Sequence, residues 1–124
     1  MEILIPVGLG ELYDKISILE IKEERVTDPE KLAHVHKELS QLQVIAEKFP
    51  IDGPLYNELK AINEVIWDNV GQQWDLEAAG EVGEEVIALA RQVYVNNDKR
   101  AEIKRKINMQ YGSGIVEVKH YNKK

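Results

Sequence analysis

Leu32, Val35, Leu39, Leu42, Ala46 and Phe49 follow one another in alternating steps of three and four, the spacing that draws one apolar line down a helix. Burying a large apolar side chain stabilises by about 1.5–3 kcal/mol, while ordering the backbone costs about 1–2 kcal/mol per residue. Such a helix therefore holds only if a partner covers its line. A matching line, Leu59, Ile62, Ile66, Val70 and Trp74, lies between Leu55 and about Ala79. The loop Phe49–Pro54 separates the two, so the expected frame is a long antiparallel hairpin in which these helices face each other. Gly71 is a candidate weak point or bend.

Two further helices flank this pair. The first begins near Gly10 and carries Leu12, Ile16, Leu19 and Val26 on one stripe, widened by Ile18 and Ile21. It stops at Thr27-Asp28-Pro29, where Thr27 or Asp28 can cap the next helix and Pro29 suits its first turn. The last helix opens at Glu84 and Glu85 after Gly80 and Gly83, with Val86, Ala90, Val93 and Tyr94 apolar. Asn96-Asn97-Asp98 is compatible with one continuous helix or with a new cap. Gly112 is the expected end. Glu2–Val7 (EILIPV) and Ile115–Tyr121 (IVEVKHY) read as strands that can pair as a short ribbon. The fold class is thus an all-α, small helical bundle on a long antiparallel hairpin, with a possible two-stranded ribbon from the termini.

With 124 residues, 31% of them charged, and neither a repeat nor a low-complexity stretch, the chain reads as a single helical domain over residues 1–124. It contains no cysteine, which excludes disulfides and thiolate metal sites. No apolar run approaches the roughly 20 residues of a membrane span, and the opening residues MEILIPVGLGE lack a basic leader, so a soluble, cytoplasmic protein is expected. The net charge of −6 is uneven. Residues 1–95 hold 8 Lys and Arg against 19 acids, and residues 96–124 hold 8 against 3. An acidic total speaks against general nucleic-acid binding, while the basic end suits either complementarity within the molecule or a meeting with phosphate.

Asn97, Arg100, Lys104 and Asn108 recur at threes and fours along the last helix, so they share a face that carries polar groups where a core stripe would carry Leu or Val. Glu11, Lys15 and Lys22 form a comparable stripe on the first helix, with Asp14 and Asp98 close by. If the stripes meet, they can satisfy one another as a buried network. Alternatively, Lys15, Lys22, Arg100 and Lys104 leave a positive pocket for a phosphate, sugar nucleotide or carboxylate, with Asn63, Asn97 and Asn108 as neutral partners.

Other signals are weaker. Gly8-Leu9-Gly10 lacks the third glycine of a dinucleotide motif and reads as a turn. Glu20/Glu23 and Glu81/Glu84 place carboxylates one turn apart, as helical bundles do when they hold Mg²⁺. The second pair, in EVGEEVIALA, resembles the metal motif of all-helical nucleoside triphosphate pyrophosphohydrolases without their ExxD companion. His34, His36 and His120 have no metal-ligand spacing, and Trp67 and Trp74 suit the core or its rim. No catalytic constellation is readable.

The segments GELYDKISILEIKEERVTDPEKLA, LKAINEVIWD, VYVNNDKRAEIKRKIN and GSGIVEVKHY resemble an uncharacterised helical family of bacteria and phages. Genes of that family often neighbour those for surface-polysaccharide and lipopolysaccharide glycosyltransferases. The resemblance spans the chain except roughly residues 47–56 and 78–86. It implies recurrent polar positions at Glu11, Asp14, Lys15, Lys22, Asn63, Trp67, Asp68, Asn97, Asp98, Arg100, Lys104 and Asn108. The expected function is a non-catalytic binding or accessory protein for an anionic ligand or a protein partner, linked to surface-sugar synthesis and needing no cofactor. The alternatives are a Mg²⁺-dependent nucleotide pyrophosphohydrolase using the Glu pairs, and a structural module whose seam forms a homodimer.

Overall fold

The computed structural model describes residues 1–112 and forms four helices: α1 (Leu9–Arg25), α2 (Pro29–Ala46), α3 (Gly53–Ala78) and α4 (Glu84–Gln110). The chain is an all-α bundle. None of these helices is long and apolar enough to cross a membrane. Residues 2–7 form no strand, which corrects the ribbon expected at the N-terminus. Ile3, Leu4 and Ile5 are exposed there, and no strand among the described residues offers an edge to pair with them. The second half of that ribbon, Ile115–Tyr121, lies outside the described residues.

The starts of α2 and α3 are set by local chemistry. Asp28 accepts a hydrogen bond from the Lys31 backbone N–H at 3.4 Å, and Pro29 follows at the first helical position. Asp52 plays the same role for α3, accepting from the Leu55 N–H at 2.8 Å. Helix α4 runs unbroken through Asn96-Asn97-Asp98 and ends at Tyr111 and Gly112, whose φ of 68° suits glycine. Helix α3 likewise passes through Gly71 without interruption.

The pairing differs from the expected one. Helix α2 lies antiparallel on α1, and α3 lies antiparallel on α4, while α1 packs on all three others. The long hairpin is therefore α3–α4, not α2–α3. A connection of three residues, Val26–Asp28, leaves α2 nowhere to turn except back along α1. The seam of α2 buries Val35, Leu39 and Ala46 against Leu12, Tyr13, Ile16 and Leu19 of α1, and the same cluster reaches Leu55, Leu59, Ile103 and Ile107. Because α1 covers this seam within the chain, it is not left open for a second copy. Phe49, placed on the seam by its spacing, lies beyond α2 and is exposed. The Tyr13 hydroxyl closes the end of α2, donating to the carbonyls of Phe49 at 2.7 Å and Ala46 at 3.2 Å. Its ring meets Tyr56 edge-on at 5.9 Å.

Two glycines behave oppositely. A Cβ on Gly10 would sit 2.5 Å from the Lys104 carbonyl oxygen, whereas one on Gly71 would meet nothing within 4 Å. Gly10→Ala is expected to lower stability by about 1–3 kcal/mol through overpacking, and Gly71→Ala to raise it by about 0.5–1 kcal/mol through helix propensity. Urea denaturation of both variants checks this, and two changes of the same sign would contradict the account.

Asp52 also ties the two ends of the α3–α4 hairpin together, accepting from Gln110 Nε2 at 2.9 Å and from the Tyr111 hydroxyl at 3.0 Å. The Leu55 N–H, with these two donors, holds the Asp52 carboxyl below its ordinary value of 3.8. A folded-state pKa below the unfolded one contributes stability at higher pH, and that stability is lost as pH falls through the lowered value. Between about pH 6 and about pH 2, the wild type should lose more stability than Asp52→Asn, which keeps a capping oxygen but does not titrate. Urea midpoints at the two ends of that range measure the difference.

Candidate functional site

Helix α1 presents Gly10, Asp14 and Ser17 to α3 and α4 at steps of four and three. With no side chain at Gly10, the backbone of α1 comes close enough to α4 for the Gly10 N–H to donate to Asn108 Oδ1 at 2.8 Å. One turn back along α4, Lys104 Nζ lies 2.6 Å from Glu11 and 4.0 Å from Asp14. Lys104, Asp14 and Asn108 are all buried. Two carboxylates on one ammonium compensate its desolvation.

On α3, the buried Asn63 joins the three helices. Its Nδ2 donates to Asp14 Oδ1 at 2.9 Å and to Ser17 Oγ at 2.7 Å, and its Oδ1 accepts from Arg100 Nη1 at 3.3 Å. Ser17 in turn donates to the Asp14 carbonyl at 2.8 Å. Arg100 Nη2 donates to Asn97 Oδ1 at 2.5 Å, one turn away on α4. The α4 stripe thus meets Glu11 and Asp14 of α1 and Asn63 of α3, and Glu11, Asn63, Asn97, Arg100, Lys104 and Asn108 form one continuous constellation.

Lys15 and Lys22 do not join it. Lys15 turns to α2 and pairs with Glu38 at 3.4 Å on the exposed side. Lys22 is half-buried near the end of α1. Asp68 pairs with Arg25. Ser17 belongs to the network although the sequence reading passed over it. Its sign was its place at steps of three and four from Asp14 and Ile21, a small hydroxyl on an otherwise apolar face.

The carboxylate pairs are separated. Glu20 accepts from the Tyr56 hydroxyl, and burial pushes its pKa up against the opposing effect of Lys60. Glu24 holds Lys60 at 2.7 Å and raises that lysine's pKa. Glu23 lies 3.3 Å from His36. Glu81 and Glu84 sit at the far tip of the α3–α4 hairpin. Among the described residues, no group of three His, Cys, Asp or Glu is arranged to hold a metal ion.

Beside the constellation, α1, α3 and α4 enclose a cleft of about 380 Å³, within the size range of small-molecule sites. Ile18 and Ile21 form one wall and Ile66, Trp67, Val70 and Trp74 the other, with Asn63 and Arg100 also lining it. Asn63 and Trp74 are three turns apart on α3, so the cleft has a polar end and an aromatic end. Lys104 is neutralised by its acids, but Arg100 is held only by the amide oxygens of Asn63 and Asn97 and pairs with no carboxylate among the described residues. The cation facing the cleft is therefore Arg100.

Asn63→Ala would strip Asp14 and Ser17 of a donor in a buried place. A loss of about 1–3 kcal/mol is expected, read as a lower urea midpoint, and an unchanged midpoint would show that the network contributes nothing to folding.

Residues 3–124 match the model of a family of unknown function (DUF6165). No curated protein and no solved structure matches the chain.

Proposed function

The chain belongs to the DUF6165 family, and from the geometry within it we propose a non-catalytic binding protein whose cleft receives an anionic group on Arg100. Arg100 carries the reading. Its guanidinium is aligned by two neutral oxygens, keeps further N–H groups to offer, and has no carboxylate among the described residues to discharge it. A carboxylate or phosphate placed there would form charge-assisted hydrogen bonds worth roughly 1.5–3 kcal/mol each.

The remainder of the ligand would lie along Trp67 and Trp74. Indole faces accept sugar C–H faces or a base ring, so a sugar phosphate or nucleotide sugar fits both ends of the cleft. The resemblance to chains encoded beside surface-polysaccharide genes supports the same ligand class, and with it a bacterial or phage setting in surface-sugar synthesis. Among the described residues the side chains that hydrogen-bond Arg100 are the neutral amides of Asn63 and Asn97, which supports a binding role for that guanidinium.

Thermal unfolding against nucleotides, nucleotide sugars, sugar phosphates and carboxylates tests the proposal. A ligand at about a hundred times its Kd adds about 2.7 kcal/mol to a protein that binds it only when folded. Arg100→Ala should abolish that shift while leaving the unliganded melting temperature within a few degrees of wild type. This single variant is cleaner than one that also removes Lys104, whose loss would expose a buried carboxylate. Failure of every anion in the panel to shift wild type would remove the reading.

A further inference from the structure

The α3–α4 hairpin outruns the rest of the molecule. The last turn of α1 ends where Arg25 reaches Asp68 and lies 3.9 Å from Glu64. The last buried residue of α3 is Asn69 and the first of α4 is Ala101. The arm between them has no buried residue and exposes Trp74 at 69%, Ile87 at 58% and Tyr94 at 61%. The α4 stripe that faces α1, Asn108–Lys104–Arg100–Asn97, continues in the same steps to Tyr94, Ala90 and Ile87. The α3 stripe continues from Asn63 through Trp67 and Val70 to Trp74. The groove that α1 fills lower down therefore runs on along the arm, apolar and filled by none of the described residues.

Charge tells what would fill it. Residues 70–96 hold five acids, Asp75, Glu77, Glu81, Glu84 and Glu85, against the one base Arg91. Two arms laid together would bring these acids face to face, which disfavours a second copy as the occupant. The end of helix α1 shows the favoured pattern: Ile18 and Ile21 face Ile66, Trp67 and Val70 across the cleft, and the terminal Arg25 meets the acids of α3. We infer that the arm is a docking surface for a basic amphipathic helix of a partner protein, of roughly three turns given the 1.5 Å rise per residue. Such a helix would continue the line of α1, with apolar residues on Trp74, Ile87 and Tyr94 and Lys or Arg beside the acidic rim. This goes beyond the anion site and shares with it only the Trp74 end of the cleft.

The probe is a synthetic amphipathic peptide of Leu and Lys, about four helical turns long, beside a Leu and Glu peptide of the same pattern. Tryptophan emission of the full chain reports binding. The Lys peptide is expected to bind at least roughly tenfold more tightly than the Glu peptide. Ile87→Asp should weaken it by a similar factor with helix content by circular dichroism unchanged. The exposed double variant Glu84→Gln, Glu85→Gln should weaken it too, which keeps the test open if Ile87→Asp misfolds. Arg100→Ala should leave peptide binding intact, separating this outcome from that of the anion site. No binding of the Lys peptide, or equal binding of both, overturns the inference. So does a concentration-dependent dimer by sedimentation that Ile87→Asp abolishes, since the face would then belong to a second copy.

Discussion

Helix α1 is wedged into the α3–α4 groove by a polar seam, and the remaining contacts take their positions from it. Gly10 lets the backbone of α1 approach the Lys104 carbonyl, Asn108 accepts the Gly10 N–H, and Lys104 holds Glu11 and Asp14. Apolar packing alone is tolerant of sliding and rotation, because one Leu fits nearly as well as its neighbour. A buried hydrogen-bonded seam is not, since a shift of one residue leaves several desolvated groups without partners. With α1 fixed in rotation and height, its opposite side presents Leu12, Ile16 and Leu19 to the α2 seam.

The candidate site is a by-product of the same seam. Asn63 spends its amide donor on Asp14 and Ser17 and turns its oxygen outward to Arg100. The carboxylates of α1 are thereby engaged one turn below, at Lys104, and the next cation along α4 is left with neutral partners. Two positive residues one turn apart on one face thus have different chemistry. One is a buried structural ion and the other a half-buried cation lining a cleft.

The arm follows from length. Helices α3 and α4 have 26 and 27 residues, against 17 and 18 in α1 and α2, so a helix pair of nearly 40 Å is covered over only part of its length. The covered part is closed by buried Leu59 and Ile107. The uncovered part keeps the same stripe spacing, with Trp74, Tyr94 and Ile87 in place of core residues. Polar groups in its neighbourhood, such as the buried Asn69 Nδ2 with no hydrogen-bond partner, are costly in a finished core.

Local physics was legible in the chain: the Asp28 and Pro29 start of α2, the α2 seam, the stop at Gly112 and the polar stripe of α4 are written in neighbouring residues, because caps, breakers and a 3.6-residue period act within a turn or two. Which helices pair was not, since an apolar seam names the kind of partner it needs and not the partner. That choice fell to the three-residue link after α1 and to the close approach at Gly10, a glycine that reads along the chain as a plain turn. The recruitment of Ser17 was likewise settled by what lies across the bundle, where Asn63 donates to its hydroxyl. The sequence by itself determined the helices and their polar faces. Only the tertiary structure decided that Lys104 is spent on Glu11 and Asp14 while Arg100 is not, because that division depends on distances between residues far apart in the chain, which no local spacing encodes.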